Sequence, residues 1–331
     1  MATLAPSLPA VLPSRPTLPR IGEQPLRGIG LVVLSTIFLS SSDAIAKYLS
    51  GSLPALEIAW LRYVGFVGVM LAAALLTRRR GRSPLRSARP GLQVLRGLAL
   101  VGSALLFLSG LRYLPVAEAT AISFVSPIFV TALSIPLLGE TIGVRRWIAA
   151  LVGLVGVLII LRPGTSAFQL AALLPVASSL FWALALVATR KINGYDAPQT
   201  TMTWSALVGF AVLTCLVPFA WVAPNLDEIA IGAAVGLIST TGHWIVTTAY
   251  RHAPASTLVP FSYTQIVWAA LIGALAFGSR PDAFVGAGVL VIAASGLYTA
   301  HRERLRGARG PDPLAGTRRG PAAPPPLARI V

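Results

Sequence analysis

The 331 residues are 55% hydrophobic and only 11% charged, with a mean hydropathy of +0.75. A soluble domain carries about 25% charged residues, so this chain has too little polar surface to enclose a core in water, and part of its solvent is lipid. The net charge of +16 lies mostly in short clusters between or outside apolar runs, the pattern that orients a membrane protein rather than one that grips nucleic acid. One cysteine, Cys215 in an apolar run, excludes an intrachain disulfide framework and a cysteine-cluster metal site.

In chain order, residues 1–26 are interrupted by Pro6, Pro9, Pro13, Pro16, Pro19 and Pro25. No uninterrupted apolar stretch forms there, so the segment reads as a disordered cytoplasmic tail rather than a signal peptide. Apolar runs follow at 28–49, 54–77, 92–111, 115–138, 146–161, 167–189, 199–221, 229–250, 255–278 and 283–300. A bilayer core of about 30 Å needs roughly 20 such residues, and the runs are too long and too little alternating for strands. The expected fold is an all-α integral membrane protein of ten transmembrane helices. From Arg302 the chain is again rich in Pro and Arg and reads as a second disordered tail.

Ten spans put both termini on one side. That side then carries 22 of the 27 Lys and Arg, including the cluster from Arg78 to Arg96. The positive-inside rule places it in the cytoplasm, so the expectation is a multi-pass inner-membrane protein. The Arg78–Arg96 loop is expected to meet anionic lipid.

The chain also repeats itself. Arg112-Tyr-Leu-Pro115 aligns with Arg251-His-Ala-Pro254, and the offset of 139 also pairs Ser123 with Ser262 and Gly139 with Gly278. An offset of 144 pairs Trp60 with Trp204, Lys47 with Lys191, and Val64-Gly65-Phe66 with Val208-Gly209-Phe210. The unit has five spans, an odd number, so the second copy enters the membrane from the opposite face. Inverted repeats are characteristic of secondary transporters, whose sites lie at the midplane between the halves.

Several motifs now resemble a known family. The run from Leu114 to Pro127 (Leu-Pro-Val-Ala-Glu-Ala-Thr-Ala-Ile-Ser-Phe-Val-Ser-Pro), Leu138-Gly-Glu140, Arg146-Trp147 and the stretch Gly153 to Gly164 resemble the EamA repeat of the drug/metabolite transporter superfamily. Ser42-Asp-Ala-Ile-Ala-Lys47 and Trp60-Leu-Arg62-Tyr63 are similar to the same family. The second copy departs from the pattern, with Ser279 at the place of Glu140 and Thr257 at that of Glu118. The resemblance covers roughly 28–300 and implies two EamA repeats (27–162 and 163–301), cytoplasmic termini and alternating access. It implies a small organic substrate, of the amino acid, riboflavin or S-adenosylmethionine class, without fixing which.

Charges inside spans mark the candidate site, because each costs about 2.5–3.5 kcal/mol at a helix centre. Thr36, Ser40, Asp43 and Lys47 form one stripe of the first span. Asp43 and Lys47 read either as a mutual pair with Lys47 snorkelling to water, or as a cavity wall or coupling site. Arg62 reads as a clamp or as a binder of an anionic group, with Asp43 or Glu118 as its partner. Glu118 and Ser126 share a face of the fourth span, and Gln265 and Trp268 the matching face of the ninth. Glu118 is the leading candidate for proton coupling, against a position in interfacial water. His243 reads as a substrate or proton contact, or as a hydrogen bond to a neighbouring helix. Trp182, Trp204, Trp244, Phe261, Tyr263 and Trp268, if they face the cavity, favour a flat solute.

The main alternative is an integral membrane enzyme with a site in the helix bundle. It would need a constellation such as His-Glu-x-x-His, paired aspartates or a Ser–His dyad at depth, and the three histidines are scattered. No cofactor or metal is expected. A channel would need a filter loop or charged ring, and the connections are too short. A homodimer is compatible with this reading.

Overall fold

The computed structural model describes residues 24–78, 85–139, 143–163, 169–250, 252–253 and 255–308. Most of the two predicted tails, the 79–84 part of the arginine-rich loop, Glu140, Gly164, Arg251 and Pro254 lie outside the described residues. Among the described residues every regular element is helical: α1 (Pro25–Leu49), α2 (Ala55–Arg78), α3 (Pro90–Leu111), α4 (Val116–Ser123), α5 (Ser126–Leu138), α6 (Val144–Leu161), α7 (Leu173–Ile192), α8 (Pro198–Leu216), α9 (Leu226–Ala249), α10 (Ala255–Ser262), α11 (Thr264–Phe277) and α12 (Ala283–Ala308). Helix α12 runs through 302–308, which the sequence reading gave to the C-terminal tail.

Local chemistry sets the ends. Pro25, Pro90 and Pro198 open α1, α3 and α8, where a missing N–H costs nothing. Asn225 and Glu228 close a capping box on α9. Gly139 and Gly278 end α5 and α11 in the left-handed conformation at φ 68° and 65°, which a side chain would oppose. These two glycines are the pair aligned by the 139-residue offset.

Eight segments are long and apolar enough to cross a membrane, and 147–161 and 283–299 are shorter apolar helices. Two of the eight are interrupted. Between α4 and α5 the chain turns at Phe124 and Val125 through i→i+3 bonds from Phe124 N to Ala121 O and Val125 N to Ile122 O. Pro127 causes this, because it cannot donate to the Ser123 carbonyl and its ring crowds that oxygen. Between α10 and α11 the break is at Tyr263. There the Ser262 and Thr264 hydroxyls donate to the Val259 and Phe261 carbonyls at 2.6 and 2.7 Å, competing with the helix ladder. The sequence reading took each as one continuous span.

The main packed pairs are α1 with α9, α3 with α7, α6 with α12 and α2 with α9, followed by α5–α7, α1–α11, α3–α8 and α2–α8. Apolar burial drives helices together weakly in lipid, so close packing of small residues takes its place. Helices α2 and α9 meet at Gly65 and Gly236, where a Cβ on Gly236 would stand 2.6 Å from the Arg62 carbonyl oxygen. Helices α6 and α12 meet in the same way at Gly156 and Gly288. The outward faces are apolar: Leu151, Val155 and Leu158 on α6, and Val267, Leu271 and Leu275 on α11, are all exposed.

Candidate functional site

The polar stripe of α1 is the spine of the interior. Thr36 Oγ1 lies 2.9 Å from Thr264 Oγ1, and Ser40 Oγ donates to the Gln265 carbonyl at 2.9 Å, both on α11. One helical turn on, Asp43 faces α2, where its Oδ1 is 3.7 Å from Arg62 Nη1. At the end of the stripe, Lys47 Nζ donates to the Leu111 and Leu114 carbonyls at 2.8 Å each, and sits 5.9 Å from the centre of the Phe277 ring. Lys47 therefore satisfies the carbonyl end of α3 and makes no ion pair with Asp43. The expected Asp43–Lys47 pair is replaced by two separate contacts.

Arg62 is shared between three helices. Besides Asp43 on α1, it donates to Ser239 Oγ on α9 through Nε at 2.9 Å and Nη2 at 2.5 Å. On the same helix, His243 Nδ1 is 2.8 Å from the Ser239 carbonyl. The result is a chain Asp43–Arg62–Ser239–His243 that joins α1 and α2 to α9. Asp43 and Arg62 carry opposite charges, and their side chains retain 9% and 17% exposure. At 3.7 Å the guanidinium and the carboxylate are beyond direct hydrogen-bond reach, so both keep capacity for a further polar partner.

The remaining candidates are spread more widely. Glu118, in the first turn of α4, is half-buried, and the charges acting on it are Arg162 and Asp282 rather than Arg62. Arg162 pairs with Asp282 and stacks at 4.8 Å over Phe284. Ser126 opens α5 beside the α4–α5 break. Trp268 has its indole Nε1 buried without a hydrogen-bond partner among the described residues. The two break residues, Phe124 and Tyr263, stand 139 positions apart in sequence and stack at 4.8 Å between ring centres.

The aromatic set divides. Trp182 and Trp244 are exposed on the outer surface, Trp204 Nε1 donates to the Leu85 carbonyl at 3.1 Å, and Phe261 packs in a satellite core with Val32 and Leu258. Only Tyr263 and Trp268 of the six belong to the central region. Sequence reasoning missed Phe124 and Arg96. Arg96 was grouped with the arginine-rich loop although it lies inside the predicted span 92–111, and an arginine within a span is itself the signal. Its Nε donates to Thr189 Oγ1 at 2.7 Å.

Acidic side chains outside the spans are held ionised. Asp196 is pushed up by burial but pulled further down by hydrogen bonds from Ser87, Ala88 and Gln93, so its carboxyl lies below the usual range. Asp282 is lowered chiefly by the Val285 N–H; burial opposes this, and Arg162 and the Phe284 N–H lower it further.

Residues 26–162 and 169–299 each match the EamA-like transporter family. An S-adenosylmethionine uptake transporter of Rickettsia bellii is 28% identical, over 84% of this chain and 94% of its own length. A riboflavin transporter of Vibrio cholerae is 30% identical over 82% and 93%, and a pseudopaline exporter of Pseudomonas aeruginosa 30% over 81% and 94%. One solved crystal structure shares the fold at a TM-score of 0.58 and 23% identity, covering 82% of this chain and 97% of its own. With both halves matched and its relatives named as transporters rather than enzymes, this multi-pass membrane chain belongs to the EamA-like transporter family of the drug/metabolite transporter superfamily.

Proposed function

We propose that the chain is a ten-span secondary transporter of the bacterial inner membrane. It moves a small organic metabolite by alternating access between two inverted five-helix halves, with both termini cytoplasmic. The two apolar helices α6 and α12 complete the count of ten, each closing one half. Support for the inverted arrangement comes from packing. Exchanging the halves maps α1–α9 onto α3–α7, α2–α9 onto α3–α8 and α5–α7 onto α1–α11, while α2–α8 and α6–α12 map onto themselves. The positive-inside count supports the orientation.

The observation that carries the solute site is the Asp43–Arg62–Ser239 chain, an opposed charge pair bridged across the two halves. A loose ion pair receives a zwitterion well, since an ammonium can meet Asp43 while a carboxylate meets Arg62. This favours a solute carrying an amino acid group, free or as in S-adenosylmethionine, over the riboflavin class. Tyr263, Phe124 and Trp268 supply flat surfaces nearby on the broken helices. Asp43 is the carboxylate best placed for proton coupling, Gln265 and Ser126 flank the breaks, and Lys47 holds the α3–α4 turn.

The test compares metabolites inside and outside cells expressing the protein with those of empty-vector cells. Amino acids, S-adenosylmethionine and riboflavin are supplied together. Selective movement of an amino acid-bearing compound, removed by collapsing the proton gradient, is the expected result. Movement of riboflavin alone would overturn the charge-pair reading, and no movement of any compound with the protein in the membrane would count against these substrate classes.

A further inference from the structure

At the end of the bundle that carries the α7–α8 turn, the first half reaches across to the second through polar contacts that the solute site does not use. Asp196, in that turn, is the hub. Ser87 Oγ and Gln93 Nε2 donate to its Oδ2, the latter at 2.8 Å, and the Ala88 N–H donates to Oδ1 at 2.8 Å. Gln93 is fully buried and uses its second N–H on Thr201 Oγ1 of α8 at 3.1 Å. The Arg89 guanidinium lies 4.5 Å from the centre of the Tyr195 ring. One turn deeper, Arg96 ties α3 to Thr189 of α7 and to Ser205 and the Thr201 carbonyl of α8. Every one of these contacts joins a residue before 97 to one after 188.

We propose that Asp196, Gln93 and Arg96 form a latch that holds the two halves shut at this end and parts whenever the end opens. The inference rests on the alternating-access reading and adds to it the element that closes one face. Beneath the latch, α3 lies against its neighbours in a dry seam: a Cβ on Gly97 would stand 2.7 Å from Val208 Cβ, and one on Gly102 would stand 2.8 Å from the Phe181 ring. Deeper in the seam the bonds are between neutral groups, Ser103 Oγ and Ser178 Oγ at 3.0 Å and Ser178 Oγ donating to the Ser103 backbone carbonyl at 2.8 Å, whereas most bonds of the latch have a charged partner and are the stronger kind. The latch also has a second state available. Ser87, Arg89, Tyr195 and Asp196 sit at the aqueous edge and can be hydrated on parting. Gln93 Oε1, buried and without a partner among the described residues, gains one from water. At the opposite end the halves are linked by the Arg162–Asp282 pair, whose side chains are 25% and 45% exposed and therefore screened by solvent, and by the Val222 N–H, which donates to the buried Glu57 carboxylate at 3.2 Å. The structure holds the Asp196 end shut through the charge-assisted bonds of the latch.

The test uses the full chain with Cys215 changed to Ser and Ala99→Cys as a reporter. Ala99 is 2% exposed and lies one turn beyond Arg96. Inside-out vesicles are treated with a membrane-impermeant maleimide, and the labelling rate is read. Asp196→Ala removes all three hydrogen bonds to the hub and should raise that rate at least about tenfold, the effect of losing even one charge-assisted bond. A disulfide between Ser87→Cys and Asp196→Cys should lower it below the parent's, with reductant restoring it. If Asp196→Ala fails to accumulate, Gln93→Ala and the disulfide arm carry the same test. Labelling indifferent to both changes would overturn the latch. So would acceleration by Asp196→Ala without slowing by the disulfide, which marks local loosening of 85–96. The readout needs no solute: a chain that moved nothing while its labelling followed the latch would sink the transport reading and keep the latch.

Discussion

The contact between α2 and α9 makes the geometry of the proposed solute site depend on the absence of two side chains. A Cβ at Gly236 would stand 2.6 Å from the Arg62 carbonyl oxygen and 2.9 Å from Gly65 Cα. A carbon normally approaches a carbonyl oxygen no closer than about 3.3 Å, so Gly236→Ala must part the helices by about 0.7 Å. Arg62 donates to Ser239, three residues further along α9, at 2.9 and 2.5 Å. The same displacement along those bonds takes the first to about 3.6 Å, which is no longer a hydrogen bond, and stretches the second to about 3.2 Å, the outer limit of one. Overpacking costs about 1–3 kcal/mol and the lost charged bond about 1.5–3 kcal/mol. The expected destabilisation is therefore about 2.5–6 kcal/mol, measured by reversible unfolding in mixed micelles. A cycle with Ser239→Ala separates the two contributions. If the parting breaks the Arg62–Ser239 bond, the double mutant loses at least about 1 kcal/mol less than the sum of the singles. Gly68→Ala, on the same α2 with no atom within 4 Å of the new Cβ, is the control and should be neutral or slightly stabilising. Strict additivity, or a Gly236→Ala cost under about 0.5 kcal/mol, would refute the coupling of backbone approach to site geometry.

Three further outcomes follow from named contacts. Lys47→Met removes the donor to the Leu111 and Leu114 carbonyls and should cost about 1.5–3 kcal/mol in the same unfolding assay; loss of transport at full stability would instead make Lys47 a solute contact. Asp196 is held below the usual carboxylate range, so its stabilisation is complete above its unfolded value near 3.9 and is lost only as pH falls through its lower folded value. The ratio of the Asp196→Ala labelling rate to the parent's, in which the pH dependence of the thiolate cancels, should then be flat from about pH 5 to pH 8, and an inflection of that ratio would assign the latch to another group. Trp268→Phe deletes a buried indole N–H with no protein partner among the described residues. It should leave stability equal or raise it by up to about 1 kcal/mol, while weakening the affinity of a solute that accepts from that N–H about tenfold.

The sequence made the spans legible because lipid imposes a length and an apolar composition on each of them. It made the duplication legible because Gly139 and Gly278 occupy backbone that excludes other residues, and both are found there. The helix breaks were not legible as breaks. Pro127 marks the first, but Pro260 stands inside α10 and the second falls at Tyr263 through hydroxyl back-bonding, which serines and threonines make in unbroken helices too. The stripe Thr36, Ser40, Asp43, Lys47 was visible from helical spacing, but its five partners, Thr264, Gln265, Arg62, Leu111 and Leu114, lie on three other parts of the chain, as far as 228 residues away. Arg62 illustrates the same limit. Its need for a carboxylate followed from its depth, whereas the choice of Asp43 over Glu118 depends on how α1, α2 and α4 cross, and one sequence does not encode that in any local pattern.

That choice leads us to propose Asp43 rather than Glu118 for the coupling role. A coupling carboxylate must meet water from each side of the membrane in turn, so it has to lie at depth and beside the element that moves. Glu118 is in the first turn of α4, about 4 Å along the helix, where the Arg162–Asp282 pair is its electrostatic company. Asp43 lies six residues from the end of α1, about 9 Å in, and faces an arginine bonded to the other half. Asp43→Asn should therefore abolish accumulation driven by a pH gradient while permitting exchange of solute down its own gradient. Glu118→Gln should leave both within about threefold of the parent, since losing one partner of a solvent-screened cluster costs well under 1 kcal/mol. Asp43→Asn also strands the Arg62 charge, which could lower yield for structural reasons alone. The double variant Asp43→Asn, Arg62→Gln removes that charge, so it should recover stability and remain uncoupled. Gradient-driven accumulation in either Asp43 variant, or its loss in Glu118→Gln at parental stability, would return the role to the outer cluster.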